Sequence, residues 1–155
     1  MYDHILVPLD GSETSKRGLD EAIRLAALTH GRLRLFHAVG DMAMAHAMDA
    51  YQEHGGRWVE AMREYGAKLL KDASETARAA GVESESVLHS GFTGKMADLV
   101  AAQASKWPAD IIVLGTHGRH GVGRLLFGSG AEAVLRSAPV PVLLVRDAPV
   151  AAAES

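Results

Sequence analysis

Short apolar runs alternate along this chain with longer stretches whose apolar residues recur every three or four positions. Apolar runs of four to eight residues bounded by turn residues are typical of buried β-strands. The third run is more polar than the others, but it has a similar length. Five strands are predicted in this way, at residues 4–9, 32–38, 85–90, 110–115 and 142–145.

The stretches with three- and four-residue spacing predict amphipathic helices, because that spacing places the apolar residues on one helical face. Gly31 and Gly81 are placed to end the first two helices, and Pro108 ends the third. The predicted helices are Leu19–Ala27, Trp58–Ala80, Met96–Gln103 and Ser129–Ser137.

Strands that alternate with helices predict an α/β fold, in which right-handed crossovers build a parallel sheet covered on both faces. Open sheets of this kind bind ligands beyond the carboxyl ends of their strands. Function is therefore expected just after strands, and two such places stand out. One is the turn at Pro8–Ser12, and the other is the stretch that follows Gly115.

The length of 155 residues fits one domain, which we place at residues 1–148, followed by a short tail at 149–155. The absence of cysteine excludes disulfide scaffolds, thiolate metal sites and cysteine nucleophiles. A net charge of −3 argues against a nucleic-acid binder with a broad basic face. No apolar run is long enough for a membrane span, and the N-terminus lacks a basic leader region. We therefore expect a soluble cytoplasmic protein.

A glycine-rich stretch runs from Gly115 to the start of the last predicted helix. Glycine lets backbone N–H groups approach a ligand closely, and a helix N-terminus attracts phosphate. Ser129 adds a hydroxyl there, and Arg119 and Arg124 add positive charge. The alternative is a glycine-rich turn before a capped helix, and glycine content alone does not separate the two.

Other nucleotide and metal motifs fit poorly. Gly91–Met96 has too few residues between its glycines for a P-loop, and no serine or threonine follows its lysine. Gly128–Ala133 matches a dinucleotide fingerprint but does not follow a strand directly. No histidine pair has the helical spacing of a zinc site, and no nucleophile–base set is recognisable.

The spacing Gly115-x2-Gly118-x9-Gly128-Ser129 resembles the ATP-binding signature of the universal stress protein family. The resemblance covers nearly the whole chain. It extends through Ile5–Ser12, Ala109–Arg119 and Pro139–Val145, in that order.

The resemblance implies a Rossmann-like sheet of strand order 3-2-1-4-5, as in adenine nucleotide alpha hydrolases, and a cytoplasmic stress-response or signalling module. The implied cofactor is ATP or another adenine nucleotide, with Mg²⁺ or Mn²⁺ held through the phosphates and Asp10. ATP hydrolysis would be slow at most, and no catalytic residue is assigned. The implied nucleotide-binding residues are Pro8, Leu9, Asp10, Ala38, Gly115, Thr116, His117, Gly118, Arg119, Gly128, Ser129, Gly130 and Ala131.

Several of these roles have structural alternatives. Asp10 is also suited to an Asx-turn or a helix cap, and His117 to ordering its loop. Many family members have a hydroxyl residue where Ala131 stands, and valine is frequent at the position of Ala38.

The family also commonly forms homodimers through its last strand, here Val142–Val145, which is expected at a sheet edge. The long connection at 39–56 is rich in methionine and histidine. The alternative function is therefore a nucleotide-independent dimeric module that recognises a partner through that connection.

Overall fold

The five predicted strands form one parallel sheet in the computed structural model, which describes residues 1–39, 55–91, 95–116 and 129–146, without the side chains of 55–59 and 129. The strand order is 3-2-1-4-5, which confirms the predicted fold class. The strands are β1 His4–Pro8, β2 Arg32–Ala38, β3 Ser84–His89, β4 Ile111–Thr116 and β5 Val142–Arg146.

Four described helices cover both faces of this sheet. One face packs against the first two helices around Leu19, Leu35 and Leu70, and the other packs against the last two around Phe36 and Val100. Central strands are therefore buried on both sides, as their continuous apolar runs predict. The helices are α1 Glu13–Thr29, α2 Gly55–Ala79, α3 Met96–Lys106 and α4 Ser129–Ser137.

Strands β1 and β4 are neighbours at the centre of the sheet, with Ile5 opposite Ile111 and Leu6 opposite Ile112. The chain leaves β1 through α1 on one face and reaches β4 from α3 on the other. The strand order therefore reverses between β1 and β4. In open α/β sheets this reversal leaves a crevice at the carboxyl ends of the two strands.

The end of α1 differs from the prediction. His30, not Gly31, adopts the left-handed conformation that ends the helix, with a φ of 56°. Gly31 is needed for space, since a Cβ there would lie 2.6 Å from the carbonyl oxygen of Tyr2. At the end of α2, Gly81 does adopt a positive φ of 75°, and Val82 N–H donates to the Ala77 carbonyl.

Two observed element boundaries differ from the predicted ends of the connections between strands and helices. Helix α2 begins at Gly55, so the end of the 39–56 connection is helical, and residues 40–54 lie outside the described residues. Thr116, predicted to open the glycine-rich loop, is the last residue of β4 and pairs with Arg146. No described helix is both long and apolar enough to cross a membrane.

Candidate functional site

The sheet register brings Asp10 and Thr116 to the same edge of the molecule. Leu6 lies opposite Ile112, and each of the two candidate residues follows its strand partner by four positions. Parallel strands advance together, so both residues reach the carboxyl edge between β1 and β4. The two stretches that are predicted to hold the site are distant in sequence, and the sheet register brings them to the same crevice.

Asp10 forms the turn that leads from β1 into α1. Its Oδ1 accepts a hydrogen bond of 2.9 Å from the Ser12 N–H, so the Asx-turn interpretation is confirmed. Burial raises the pKa of the carboxyl, but hydrogen bonds from the Ser12 hydroxyl and amide and from the Ser15 hydroxyl together lower it below its ordinary value. Asp10 is therefore an anion at neutral pH, and its side chain is exposed at the edge.

Ser12, and not Asp10, caps helix α1. The Ser12 hydroxyl oxygen accepts a 3.2 Å hydrogen bond from the Ser15 N–H and lies 2.9 Å from the Thr14 hydroxyl. The Ser15 hydroxyl donates to the Ser12 carbonyl at 3.1 Å. Three hydroxyl residues thus surround the Asp10 turn and fix the start of the helix.

Leu9 supports the site rather than facing a ligand with its side chain. That side chain is buried among the residues that pack α1 and α2 on the sheet. Its N–H donates to the Phe36 carbonyl at 2.8 Å, and its carbonyl accepts from the His37 ring at 2.6 Å. Pro8 ends β1 opposite Phe36, and its ring leaves no amide hydrogen to donate.

Ala38 ends β2 beside the same crevice. It pairs with His89 of β3, and its side chain packs with the α3 face of the core. Only its backbone is therefore suited to meet a ligand, which is the kind of contact that the family resemblance implies.

Gly115 has a structural role that the glycine-rich pattern did not reveal. A Cβ there would overlap the Thr14 carbonyl group and lie 2.8 Å from the Ser15 nitrogen. On the opposite side of this contact, a Cβ at Gly18 would lie 2.7 Å from the Gly115 nitrogen. The first turn of α1 thus packs directly on the backbone of β4, which requires glycine whether or not a ligand binds.

Thr116 presents a buried hydroxyl at the end of β4. The residue is 4% exposed, and its Oγ1 has no hydrogen-bond partner among the described residues. Strand alternation puts its side chain on the same face as Ile112 and Leu114, which pack against α3 and α4. A buried hydroxyl is costly to leave unpaired, so this atom marks a place where a polar partner belongs.

The rest of the predicted phosphate-binding set is described only in part. His117, Gly118, Arg119 and Gly128 lie outside the described residues. Ser129, Gly130 and Ala131 form the first turn of α4, as predicted. A Cβ at Gly130 would meet no described atom within 4 Å, so none of the described residues fills the space beside this turn.

Neither a metal-ligand cluster nor the cleft lined by Asp3, His4 and Arg32 lies at this edge among the described residues. No three histidine or acidic side chains of the described residues group as metal ligands. A cleft of about 590 Å³ lies at the opposite edge of the sheet, where Asp3, His4 and Arg32 line it. The Arg32 amide donates to the Asp3 carbonyl there, and the Arg32 guanidinium lies 2.8 Å from His4 Nε2, so we place the candidate site at the carboxyl edge instead.

The sequence analysis did not identify three residues of the candidate site. Ser12 had a signal, since Asp-Gly-Ser before a helix is typical of a turn and cap. His37 and Tyr65 had none beyond their places at a strand end and on a helix face. Tyr65 reaches from α2 to the turn, so that a Cβ at Gly11 would overlap its hydroxyl.

The sequence profile of the universal stress protein family matches residues 1–146 of this chain. A relative described as universal stress protein A homolog 2, from Coxiella burnetii, is 37% identical over 94% of this chain and 95% of its own length.

Solved structures agree with that match. A universal stress protein family structure from Burkholderia pseudomallei has a TM-score of 0.71 and 31% identity, covering 93% of this chain and 96% of its own. A universal stress protein in complex with cAMP has a TM-score of 0.63 and 26% identity, covering 95% of this chain and 98% of its own.

Proposed function

The chain belongs to the universal stress protein family, and we propose that it binds an adenine nucleotide, with ATP as the leading candidate, at the carboxyl edge between β1 and β4. In this role it acts as a stress-response or signalling module and hydrolyses ATP slowly at most. The observation that carries the proposal is the buried Thr116 hydroxyl, which has no partner among the described residues and lies at the same sheet edge as the ionised Asp10 turn. The cAMP complex of a structural neighbour supports the same ligand class.

The described groups divide between the two ends of such a ligand. The Asp10 carboxylate and the backbone around Ala38 suit the ribose and the base, since both are rich in hydrogen-bond donors and acceptors. The first turn of α4 offers free backbone N–H groups and the positive end of the helix dipole, which suit phosphates. Thr116 ends β4 just before the glycine-rich loop that leads to this turn, and its hydroxyl suits the phosphate end.

A divalent ion fits the donor chemistry of this edge. Mg²⁺ prefers oxygen ligands and is usually bound by one or two carboxylates together with substrate phosphates. Asp10 is the carboxylate in place, and the depressed pKa keeps it ionised. The ion would neutralise phosphate charge, while Asp10 orients it and α4 holds the phosphates.

The substitution Thr116→Val tests the proposal, because valine has the shape of threonine without the hydroxyl. We expect the free protein to be as stable as the wild type or slightly more stable, since an unpaired buried polar atom is removed. ATP binding in the presence of Mg²⁺, measured by titration calorimetry, should weaken by about tenfold, as expected for one lost hydrogen bond to a charged group. Thr116→Ser, which keeps the hydroxyl, is the matched control and should bind ATP like the wild type.

Two results would contradict the proposal. The first is a wild-type protein that gives no saturable heat with ATP, ADP, AMP or cAMP, which would favour the interaction module instead. The second is a Thr116→Val variant that loses stability but binds ATP normally, since the hydroxyl would then serve the fold.

We also propose that the protein is a cytoplasmic homodimer that pairs through β5. This strand lies at the sheet edge, and Leu143 on it is 37% exposed. Pairing would cover that edge, which otherwise presents unpaired backbone groups.

A further inference from the structure

We propose that His37 is a positioning residue for the nucleotide site, because its imidazole holds the backbone segment Leu9–Gly11 from which Asp10 faces the ligand. The inference rests on the proposed function, and it adds a residue that touches no ligand.

The His37 ring makes a short hydrogen bond to the end of β1. Its Nδ1 lies 2.6 Å from the Leu9 carbonyl oxygen, and the residue is 9% exposed. A carbonyl oxygen can only accept, so Nδ1 carries the hydrogen. The same Leu9 residue donates its N–H to the Phe36 carbonyl of β2. Leu9 is therefore held at both backbone groups, by the strand through its N–H and by the histidine through its carbonyl.

A histidine is not required by the packing at this position. His37 lies on the face of β2 that also presents Leu33 and Leu35, both fully buried among apolar side chains. Burying an imidazole is costly unless it is hydrogen-bonded, whereas leucine at the same place would extend the apolar row. The specific contribution of the imidazole is thus its bond to the Leu9 carbonyl.

Helix α2 is shaped to accommodate this ring. Gly66 lies in the interior of the helix, where glycine is about 1 kcal/mol less favourable than alanine. A Cβ there would lie 2.7 Å from His37 Cδ2 and 2.8 Å from Leu88 Cδ1. The glycine therefore lets the helix approach the imidazole without displacing it.

Tyr65 closes the other side of the segment. Its ring meets the His37 ring edge-on at a centroid distance of 6.2 Å, and its hydroxyl abuts Gly11. Gly11 has a φ of 84°, so the turn needs glycine for its conformation as well as for this contact. The Leu9–Gly11 segment is thus contacted at Leu9 by His37 and at Gly11 by Tyr65, with Asp10 between the two contacts.

This arrangement predicts which part of a bound nucleotide loses affinity when His37 is replaced. Asp10 and the end of β2 at Ala38 belong to the base and ribose part of the proposed site, whereas Thr116 and α4 belong to the phosphate part. Loss of the His37 bond should therefore weaken adenosine, AMP and ATP by the same factor when binding is measured without a divalent ion, since Asp10 then acts on the base and ribose part alone. Loss of a phosphate contact should weaken ATP much more than adenosine.

The test compares His37→Leu with His37→Asn, two variants of nearly equal shape. The asparagine amide nitrogen takes the place of Nδ1 and keeps a donor for the Leu9 carbonyl, while leucine has none. We expect His37→Leu to weaken the binding of adenosine, AMP and ATP by roughly three- to tenfold each, the loss of one net hydrogen bond. His37→Asn should bind all three within roughly twofold of the wild type, within the spread of such a bond.

A second measurement needs no ligand. Amide hydrogen exchange at Ser12, whose N–H is held by Asp10, should accelerate in His37→Leu by roughly the same factor and return towards wild type in His37→Asn. If His37→Leu does not fold, Gly66→Ala replaces it, since it displaces the ring while raising helix propensity. Gly66→Ala should show the same uniform loss of affinity.

Four outcomes would overturn the inference. Equal affinities in His37→Leu and the wild type would do so while leaving the proposed function intact. A loss confined to ATP would move the role of His37 to the phosphates. A wild-type protein that binds no adenine compound would contradict the proposed function itself. Unchanged amide exchange at Ser12 in His37→Leu would show that His37 does not position the turn.

Discussion

The two edges of the sheet use their polar residues in opposite ways. At the amino edge, one oxygen of the Asp110 carboxylate accepts hydrogen bonds of 2.9 Å from both the Asp3 and the His4 amides. His4 Nε2 lies 2.8 Å from the Arg32 guanidinium, and Trp107 packs edge-on against the His4 ring. Each of these polar groups has its partner within the protein, so this edge serves the stability of the fold.

The carboxyl edge instead has a polar group without a hydrogen-bond partner among the described residues. The Thr116 hydroxyl is buried without a partner among the described residues, and Asp10 stays ionised although it is partly desolvated. The difference lies in whether the hydrogen bonds are completed among the described residues, and this difference is the reason for proposing the ligand site at the carboxyl edge.

The largest expected effect comes from Gly115→Ala, which tests whether this glycine serves the fold in addition to a ligand. The added methyl group would overlap the Thr14 carbonyl, so α1 must move away from β4. We expect a loss of about 3 kcal/mol in the free energy of unfolding, measured by urea denaturation. Gly130→Ala is the matched control for stability and should change it by less than about 1 kcal/mol, since its Cβ meets no described atom.

A smaller effect is expected from Asp110→Ala at the amino edge. The Asp3 and His4 amides lose their acceptor, but water replaces part of it because the Asp110 side chain is 42% exposed. We expect unfolding to become easier by about 1–2 kcal/mol. ATP affinity should not change, and any clear loss of affinity would show that the two edges are coupled. Asp110→Asn keeps one acceptor oxygen and should cost less.

The smallest effect concerns the titration of Asp10. Its pKa is lowered in the folded protein, so ionised Asp10 stabilises the fold above its ordinary unfolded pKa of about 3.9. This contribution is lost as the pH falls through the lower, folded pKa. The stability difference between wild type and Asp10→Asn should therefore stay constant above about pH 5 and shrink as the pH falls from about 4 through the lowered pKa of the folded protein. A carboxyl NMR titration that places the Asp10 pKa above its ordinary value would contradict this assignment.

Much of the fold follows from the periodicity of the chain. The five strands and four helices appear where the apolar spacing predicts them, because a sheet covered on both faces and an amphipathic helix each impose a repeat on the sequence. The position of the candidate site could be predicted in part from the sequence, because ligands of open α/β sheets bind where the strand order reverses. The register of β1 and β4 brings Asp10 and Thr116, one from each of the two predicted stretches, to the same edge of the sheet.

Residue roles within the site were less predictable. Gly115 was interpreted through its loop motif, yet the contact with Thr14 that requires a glycine involves a residue about a hundred positions away. His37 was one of several scattered histidines until the fold placed its ring against the Leu9 carbonyl. No local pattern encodes such contacts, because they depend on how closely two elements pack.

The sequence by itself therefore determined the elements, their alternation and the family. Those properties rest on local spacing and on motifs that are read along the chain. Only the tertiary structure decided which polar groups are paired and which are not. Pairing depends on distances between residues from different strands and helices, and these distances exist only once the sheet has formed.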